Sequence, residues 1–139
     1  MTGAKRLIAV IDDDESVRES LPDLLRAFGF EVEPFESARD FLASDCMARA
    51  DCLVVDVAMP FMTGPELQQE LGRRGASTPI VFITAQADTK LRPRLMAAGA
   101  AECLFKPFSQ AALAKALKAA LGPSEQTLFS RPGGGYDET

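Results

Sequence analysis

Residues 52–56, Cys52-Leu53-Val54-Val55-Asp56, decide how this chain folds. Four apolar residues end on one carboxylate, and Val57-Ala58-Met59-Pro60 and then Gly64 follow as a loop. A short continuous apolar run of this kind reads as a strand buried on both faces, as in parallel sheets. The pattern recurs along the chain. Leu7-Ile8-Ala9-Val10-Ile11 ends on Asp12, Asp13 and Asp14, Pro79-Ile80-Val81-Phe82-Ile83 ends on Thr84, and Cys103-Leu104-Phe105 ends on Lys106-Pro107. In a parallel sheet the strand C-termini share one edge, and open α/β proteins bind ligands at that edge. Acids, a hydroxyl and an ammonium delivered there make a site for a divalent cation and a phosphoryl group.

Between the strands the spacing turns helical. Residues 15–28 place Val17, Leu21, Leu24, Leu25 and Phe28 on one face, with Gly29 at the position after the helix and Pro22 inside it, where a kink is expected. A strand follows at 31–35, then a helix over 38–45 capped by Ser37, with Phe41 and Leu42 inward. Gly64-Pro65 opens a third helix with Leu67 and Leu71 inside. The fourth helix falls within 88–99, where Pro93 predicts a late start near Arg92 or a bend, and Gly99 ends it. Ser109 caps a last helix over 110–121. Five strand–helix units with short loops predict a doubly wound parallel α/β sheet over residues 1–121, with right-handed crossovers. Residues 122–139, rich in Pro, Gly and Ser with an acidic end, are expected to form a flexible tail, in which Phe129 and Tyr136 are the residues that could dock.

At 139 residues the chain is long enough for one domain with a real core, and its net charge of −5 argues against a general nucleic-acid-binding surface. No apolar run approaches the ~20 residues that cross a bilayer, and the N-terminus lacks a signal-peptide pattern. Cys46, Cys52 and Cys103 lack metal spacing and read as buried, reduced thiols of a cytoplasmic protein. There is no histidine, which excludes His-based catalysis and His-ligated zinc.

The chemistry of the edge follows from its residue types. Mg2+ prefers oxygen ligands, which Asp12, Asp13 and Asp56 supply. Three crowded carboxylates repel one another, so the site favours a cation. A lone aspartate beside such a cation can act as a nucleophile toward a phosphoryl group, and Asp56 ends a central strand by itself. Lys106 can offer its ammonium to a phosphoryl oxygen and Thr84 its hydroxyl. A cis bond at Lys106-Pro107 would turn the lysine toward the site. Asp14 reads as a helix cap. Phe105 and Phe108 read as core.

The strings IAVIDDDESVR, LVVDVAMPFMTGPEL, PIVFITAQAD and AGAAECLFKPF resemble the receiver domain of two-component response regulators, and DESVR and GPEL resemble receivers of the FixJ type. The resemblance covers about residues 5–121. It implies a flavodoxin-like (βα)5 fold with strand order 2-1-3-4-5. It also implies a phosphoacceptor, Asp56, served by a histidine kinase or a phosphotransfer protein, in a signalling switch rather than an enzyme. By motif position Asp12 and Asp13 match the magnesium-binding acidic pair, and the main-chain carbonyl of Ala58 matches the third protein ligand. Thr84 matches the switch hydroxyl and Lys106 the conserved lysine. The implied output surface is the fourth helix, fifth strand and last helix, meeting a downstream protein or a second copy in a phosphorylation-dependent dimer. Three positions depart from the pattern. Cys103 stands where an aromatic residue usually moves with the threonine. Ala58 is small where many relatives carry a polar side chain, which bears on water access to an acyl phosphate. Pro93 falls in the helix of the output face.

Other classes fit less well. A phosphohydrolase of the haloacid-dehalogenase type needs an acid/base aspartate two residues after its nucleophile, and here that residue is Ala58. A flavodoxin needs a phosphate-binding loop after the first strand, where the acidic triplet repels phosphate. A constitutive, non-phosphorylated interaction module remains an alternative, because of Cys103 and Pro93. The segment after the last helix is too short for a helix-turn-helix domain, so the expectation is either a stand-alone receiver or the receiver portion of a longer DNA-binding regulator.

Overall fold

The structure, a computed structural model, describes residues 5–85 and 88–122. The tail expected at 122–139, with Phe129 and Tyr136, lies outside the described residues after Gly122. Five parallel strands, β1 (Leu7–Ile11), β2 (Glu31–Phe35), β3 (Cys52–Asp56), β4 (Ile80–Thr84) and β5 (Glu102–Phe105), form one sheet in the order β2-β1-β3-β4-β5. The expected strand order is therefore the observed one. Helices α1 (Glu15–Ala27), α2 (Ala38–Leu42), α3 (Cys46–Arg49), α4 (Gly64–Arg73), α5 (Leu91–Ala97) and α6 (Gln110–Leu121) cover both faces.

Alternation along the strands divides the core in two. Leu7, Ala9, Ile11, Leu53, Val55, Phe82 and Cys103 face α2, α3, α4 and α5, whereas Ile8, Val10, Cys52, Val54, Val81 and Ile83 face α1 and α6. All five residues of β1, β3 and β4 are buried. That is why these strands read as unbroken apolar runs rather than alternating ones. A fully buried Leu, Ile or Phe contributes about 1.5–3 kcal/mol, so the two layers hold the strand ends firmly in register.

Three helices return to the sheet by one device. At the ends of α1, α4 and α5 the chain turns left-handed at Gly29, Gly75 and Gly99, with φ of 105°, 78° and 109°. The amides of Gly29 and Phe30 donate to the carbonyls of Arg26 and Leu25 at 2.9 and 3.2 Å, and the other two turns repeat the pattern. These crossed bonds satisfy carbonyls that a helix end leaves without partners.

Some expectations need correction. The helix expected over 38–45 stops at Leu42, and α3 follows as a separate turn. The Ser44 amide and hydroxyl both donate to the Phe41 carbonyl, at 3.1 and 2.8 Å, which diverts the chain from the helical path. Phe41 is buried as expected, while Leu42 is half-buried. Helix α1 continues through Pro22, which is itself buried. Helix α5 starts late, at Leu91, as expected, so Pro93 occupies its first turn, where a missing N–H costs no intrahelical bond. Phe105 is exposed rather than core: it ends an edge strand, beside Arg92 and Pro93.

The open edge of the sheet at β2 is also defined. Glu31 donates to the Arg6 carbonyl and Phe35 accepts from the Asp12 amide, so residues 31, 33 and 35 turn their backbone toward β1. Val32 and Pro34 therefore face outward. The Val32 carbonyl accepts from Arg26 Nη2 at 3.2 Å, and Pro34 has no N–H to offer.

Candidate functional site

Register sets the site. Ile11 pairs with Val55, so Asp12 and Asp56 leave neighbouring strands at the same level. Asp56 pairs with Ile83 and Thr84 pairs with Phe105, so Thr84 emerges one step beyond Asp56 and Lys106 one step beyond Thr84. The Lys106 amide donates to the Thr84 carbonyl at 2.8 Å and the Val57 amide to the Ile83 carbonyl at 3.0 Å, which ties the three strand ends together. The Lys106-Pro107 bond is cis.

The structure brings the acids together. Asp12, Asp13 and Asp56 each offer a carboxylate oxygen within 4.8 Å of the others, and Asp12 and Asp56 are buried while Asp13 is exposed. Lys106 Nζ lies 3.4 Å from Asp12 Oδ2 and 3.8 Å from Asp56 Oδ1. Thr84 is fully buried at the end of β4. Burial, and then the charge of Asp12, pushes the Asp56 carboxyl up to about 6, against the pull of Lys106. Burial raises Asp12 as well, opposed first by the Asp14 amide, which donates to its Oδ1 at 2.9 Å, and then by Lys106. Among the described residues Lys106 pairs with Asp12 and Asp56 but not with Asp13, which leaves a deficit of positive charge that a hard divalent cation would fill. The oxygen donors are of the type Mg2+ prefers, and Asp12, Asp13 and Asp56 are the residues that could hold it.

The loop after β3 is closed. The Gly64 amide donates to the Val57 carbonyl at 2.9 Å, and a Cβ at Gly64 would stand 2.8 Å from the Asp56 carbonyl oxygen and 2.9 Å from the Phe82 ring. Only glycine lets α4 begin this near β3. Thr63 and Glu66 form a reciprocal capping box at the start of α4. The TGPE sequence carries that signature, and it could have been found there. Ala58 is exposed, and its amide donates to the Asp56 carboxylate. Phe61, at the tip of the loop, is 97% exposed, with a φ of 68°. Its neighbours close a tight turn, Met62 N to Pro60 O at 2.7 Å, that nothing in the sequence announced.

Asp14 caps α1 as expected, accepting from the Ser16 amide and hydroxyl at 2.9 and 2.8 Å. Arg18, quoted in the DESVR string but given no role there, reaches back from α1 to the Asp12 carbonyl at 2.9 Å. The three cysteines are free and buried. No helix among the described residues is long and apolar enough to cross a membrane.

A parallel sheet of this order with acids on its C-terminal edge defines a class, and comparison with known proteins agrees. The family model for the response regulator receiver domain matches residues 8–118. The chain is 40% identical over 120 residues to the transcriptional regulatory protein TdiR of Thauera aromatica, covering 86% of this chain and 53% of that protein. It is 42% identical over 119 residues to the transcriptional regulatory protein FixJ of Azorhizobium caulinodans, covering 86% and 56%. Among solved structures, the response regulator StyR superposes with a TM-score of 0.78 at 48% identity, covering 85% of this chain and 60% of that one. The chain belongs to the response regulator receiver family and is FixJ-like. It spans about half the length of the curated relatives it matches. Receivers of this family are signalling modules of two-component systems and generally bind Mg2+ at an acidic pocket.

Proposed function

We propose that this domain is the phosphoacceptor of a two-component relay, phosphorylated on Asp56 by a histidine kinase or phosphotransfer protein. The observation that supports this best is the convergence of Asp12, Asp13 and Asp56 with Lys106 3.4 and 3.8 Å from two of them. Asp12, Asp13 and Asp56, with the Ala58 carbonyl, would hold Mg2+, which supplies charge neutralisation at the phosphoryl oxygens. An ionised Asp56 oxygen attacks the phosphorus of a phosphohistidine. The P–N bond breaks as the P–O bond forms, and the imidazole leaves with the electron pair. The Lys106 ammonium donates to a phosphoryl oxygen, and the burial that raises Asp56 also keeps bulk water away. Thr84 then turns its hydroxyl toward the new phosphate, drawing in the loop between β4 and α5.

The surface that responds is α5, β5 and α6. Phe105 stands exposed there beside a groove of about 430 Å³ formed with Asp88, Thr89, Arg92 and Pro93, which suits a downstream protein or a second copy. Cys103, buried at 3% exposure, supplies no ring to move with Thr84, so the signal does not pass through an aromatic side chain at this position. Since TdiR and FixJ are named transcriptional regulatory proteins, we assign the domain to a cytoplasmic regulator whose remainder acts on transcription. Residues 1–121 form the receiver in this reading.

Acetyl phosphate with Mg2+, followed by intact mass, tests the reading. One added phosphate is expected, lost in Asp56→Asn and without Mg2+. No adduct on the parent protein under saturating donor would leave a non-phosphorylated interaction module instead.

A further inference from the structure

Arg18 closes the DESVR string, to which the resemblance assigns no role at this residue. Its Nη1 donates to the Asp12 main-chain carbonyl at 2.9 Å, while its own amide donates to the Asp14 carbonyl at 3.1 Å. The side chain is half-buried at the start of α1, so its guanidinium is held against the acidic loop rather than free in water. The peptide group it grips joins Asp12 to Asp13, and fixing that plane narrows the directions in which the Asp13 side chain can leave the chain.

The three acids differ in how they are held. Asp12 accepts from the Asp14 amide at Oδ1 and pairs with Lys106 at Oδ2. Asp56 accepts from the Ala58 amide and pairs with Lys106. The Asp13 carboxylate has no hydrogen bond or ion pair of its own among the described residues, although it must lie close to two like charges. Its placement therefore rests on its backbone, and the bond from Arg18 is the side-chain contact that orients that backbone.

We propose that Arg18 is a positioning residue for the cation site, aiming Asp13 through the Asp12 carbonyl. The proposal rests on the reading of Asp12, Asp13 and Asp56 as Mg2+ ligands. It makes Arg18 responsible for metal affinity rather than for the chemistry at Asp56, and it predicts that a single donor suffices, because only Nη1 makes the bond.

The test is MgCl2 titration of the intact 139-residue chain, read by amide NMR shifts of residues 11–14 and 56–58 and by the Mg2+-dependent rise in Tm. Arg18→Met keeps the aliphatic stem and removes the donor, and Arg18→Lys restores one. Arg18→Met is expected to weaken Mg2+ roughly tenfold, the low end for loss of a group that supports a metal ligand, with Arg18→Lys between it and the parent. With acetyl phosphate, the Mg2+ concentration for half-maximal phosphorylation should rise while the rate at saturating Mg2+ stays at the parental value. A merely structural role would lower the metal-free Tm and leave Mg2+ affinity unchanged. Parental affinity in Arg18→Met, or affinity in Arg18→Lys no better than in Arg18→Met, overturns the proposal. Failure of the parent itself to bind Mg2+ overturns the metal reading with it, and that outcome is distinguishable because no variant is involved.

Discussion

At the N-terminal edge of the sheet α1, α4 and α5 hand the chain back to β2, β4 and β5 through the same glycine turn, whereas at the C-terminal edge the loops after β1, β3 and β5 differ. There the chain leaves β1 through a carboxylate that caps α1, β3 through a closed seven-residue loop over 57–63, and β5 through a cis proline bond. The repeated turns only reverse the chain, and backbone bonds alone satisfy them. The dissimilar loops must bring unlike groups to one point, and each does so with a side chain suited to its place. Repetition marks the edge that stabilises, and irregularity marks the edge that binds and reacts.

The comparison breaks most visibly at Asp56. Its carboxyl is raised from 3.8 to about 6, so the folded state holds a proton more tightly than the unfolded chain does. Stability without metal should therefore fall as pH rises from about 4 to about 6 and stay low above that. Asp56→Asn removes the penalty. Urea midpoints without Mg2+ should show the variant more stable at pH 7.5 by up to about 3 kcal/mol, with the gain gone near pH 4. A less stable variant at pH 7.5 would mean that crowded charge is not what strains this edge.

Gly64→Ala acts on the same edge with the opposite sign. Its Cβ would meet the Asp56 carbonyl oxygen at 2.8 Å and the Phe82 ring at 2.9 Å, and backbone cannot yield as a flexible side chain can. A loss of about 3 kcal/mol is expected by chemical denaturation, together with slower acetyl-phosphate labelling. At the opposite edge Gly29→Ala meets nothing within 4 Å, so only the left-handed backbone opposes it. It should cost about 1–2 kcal/mol and leave labelling at the parental rate. Smallest is Thr63→Ala, which removes half of the α4 capping box and should cost about 1 kcal/mol in Tm-derived stability. If Gly29→Ala slowed labelling as much as Gly64→Ala, the division of labour between the edges would be wrong.

The strands were legible because burial on both faces makes β1, β3 and β4 unbroken apolar words, and the groups that end them stood next to those words. Asp12, Asp13, Asp56, Thr84 and Lys106 could be read from strand ends because a parallel sheet turns sequence ends into neighbours. Phe105 misled because an edge strand has a neighbour on one side only, and hydrophobicity does not report which strand is last. The break between α2 and α3 hinged on Ser44 choosing the Phe41 carbonyl over solvent, a contest between nearly equal partners. Arg18 was missed because its bond goes to main chain, and main chain carries no signature in sequence.

The outer rim of β2 has a consequence for behaviour at high concentration. A neighbouring molecule that tried to extend the sheet there would find a proline nitrogen and a carbonyl already taken by Arg26. Templated growth from this side is starved of contacts before it starts, so a neighbour that settles on this rim must be held through side chains.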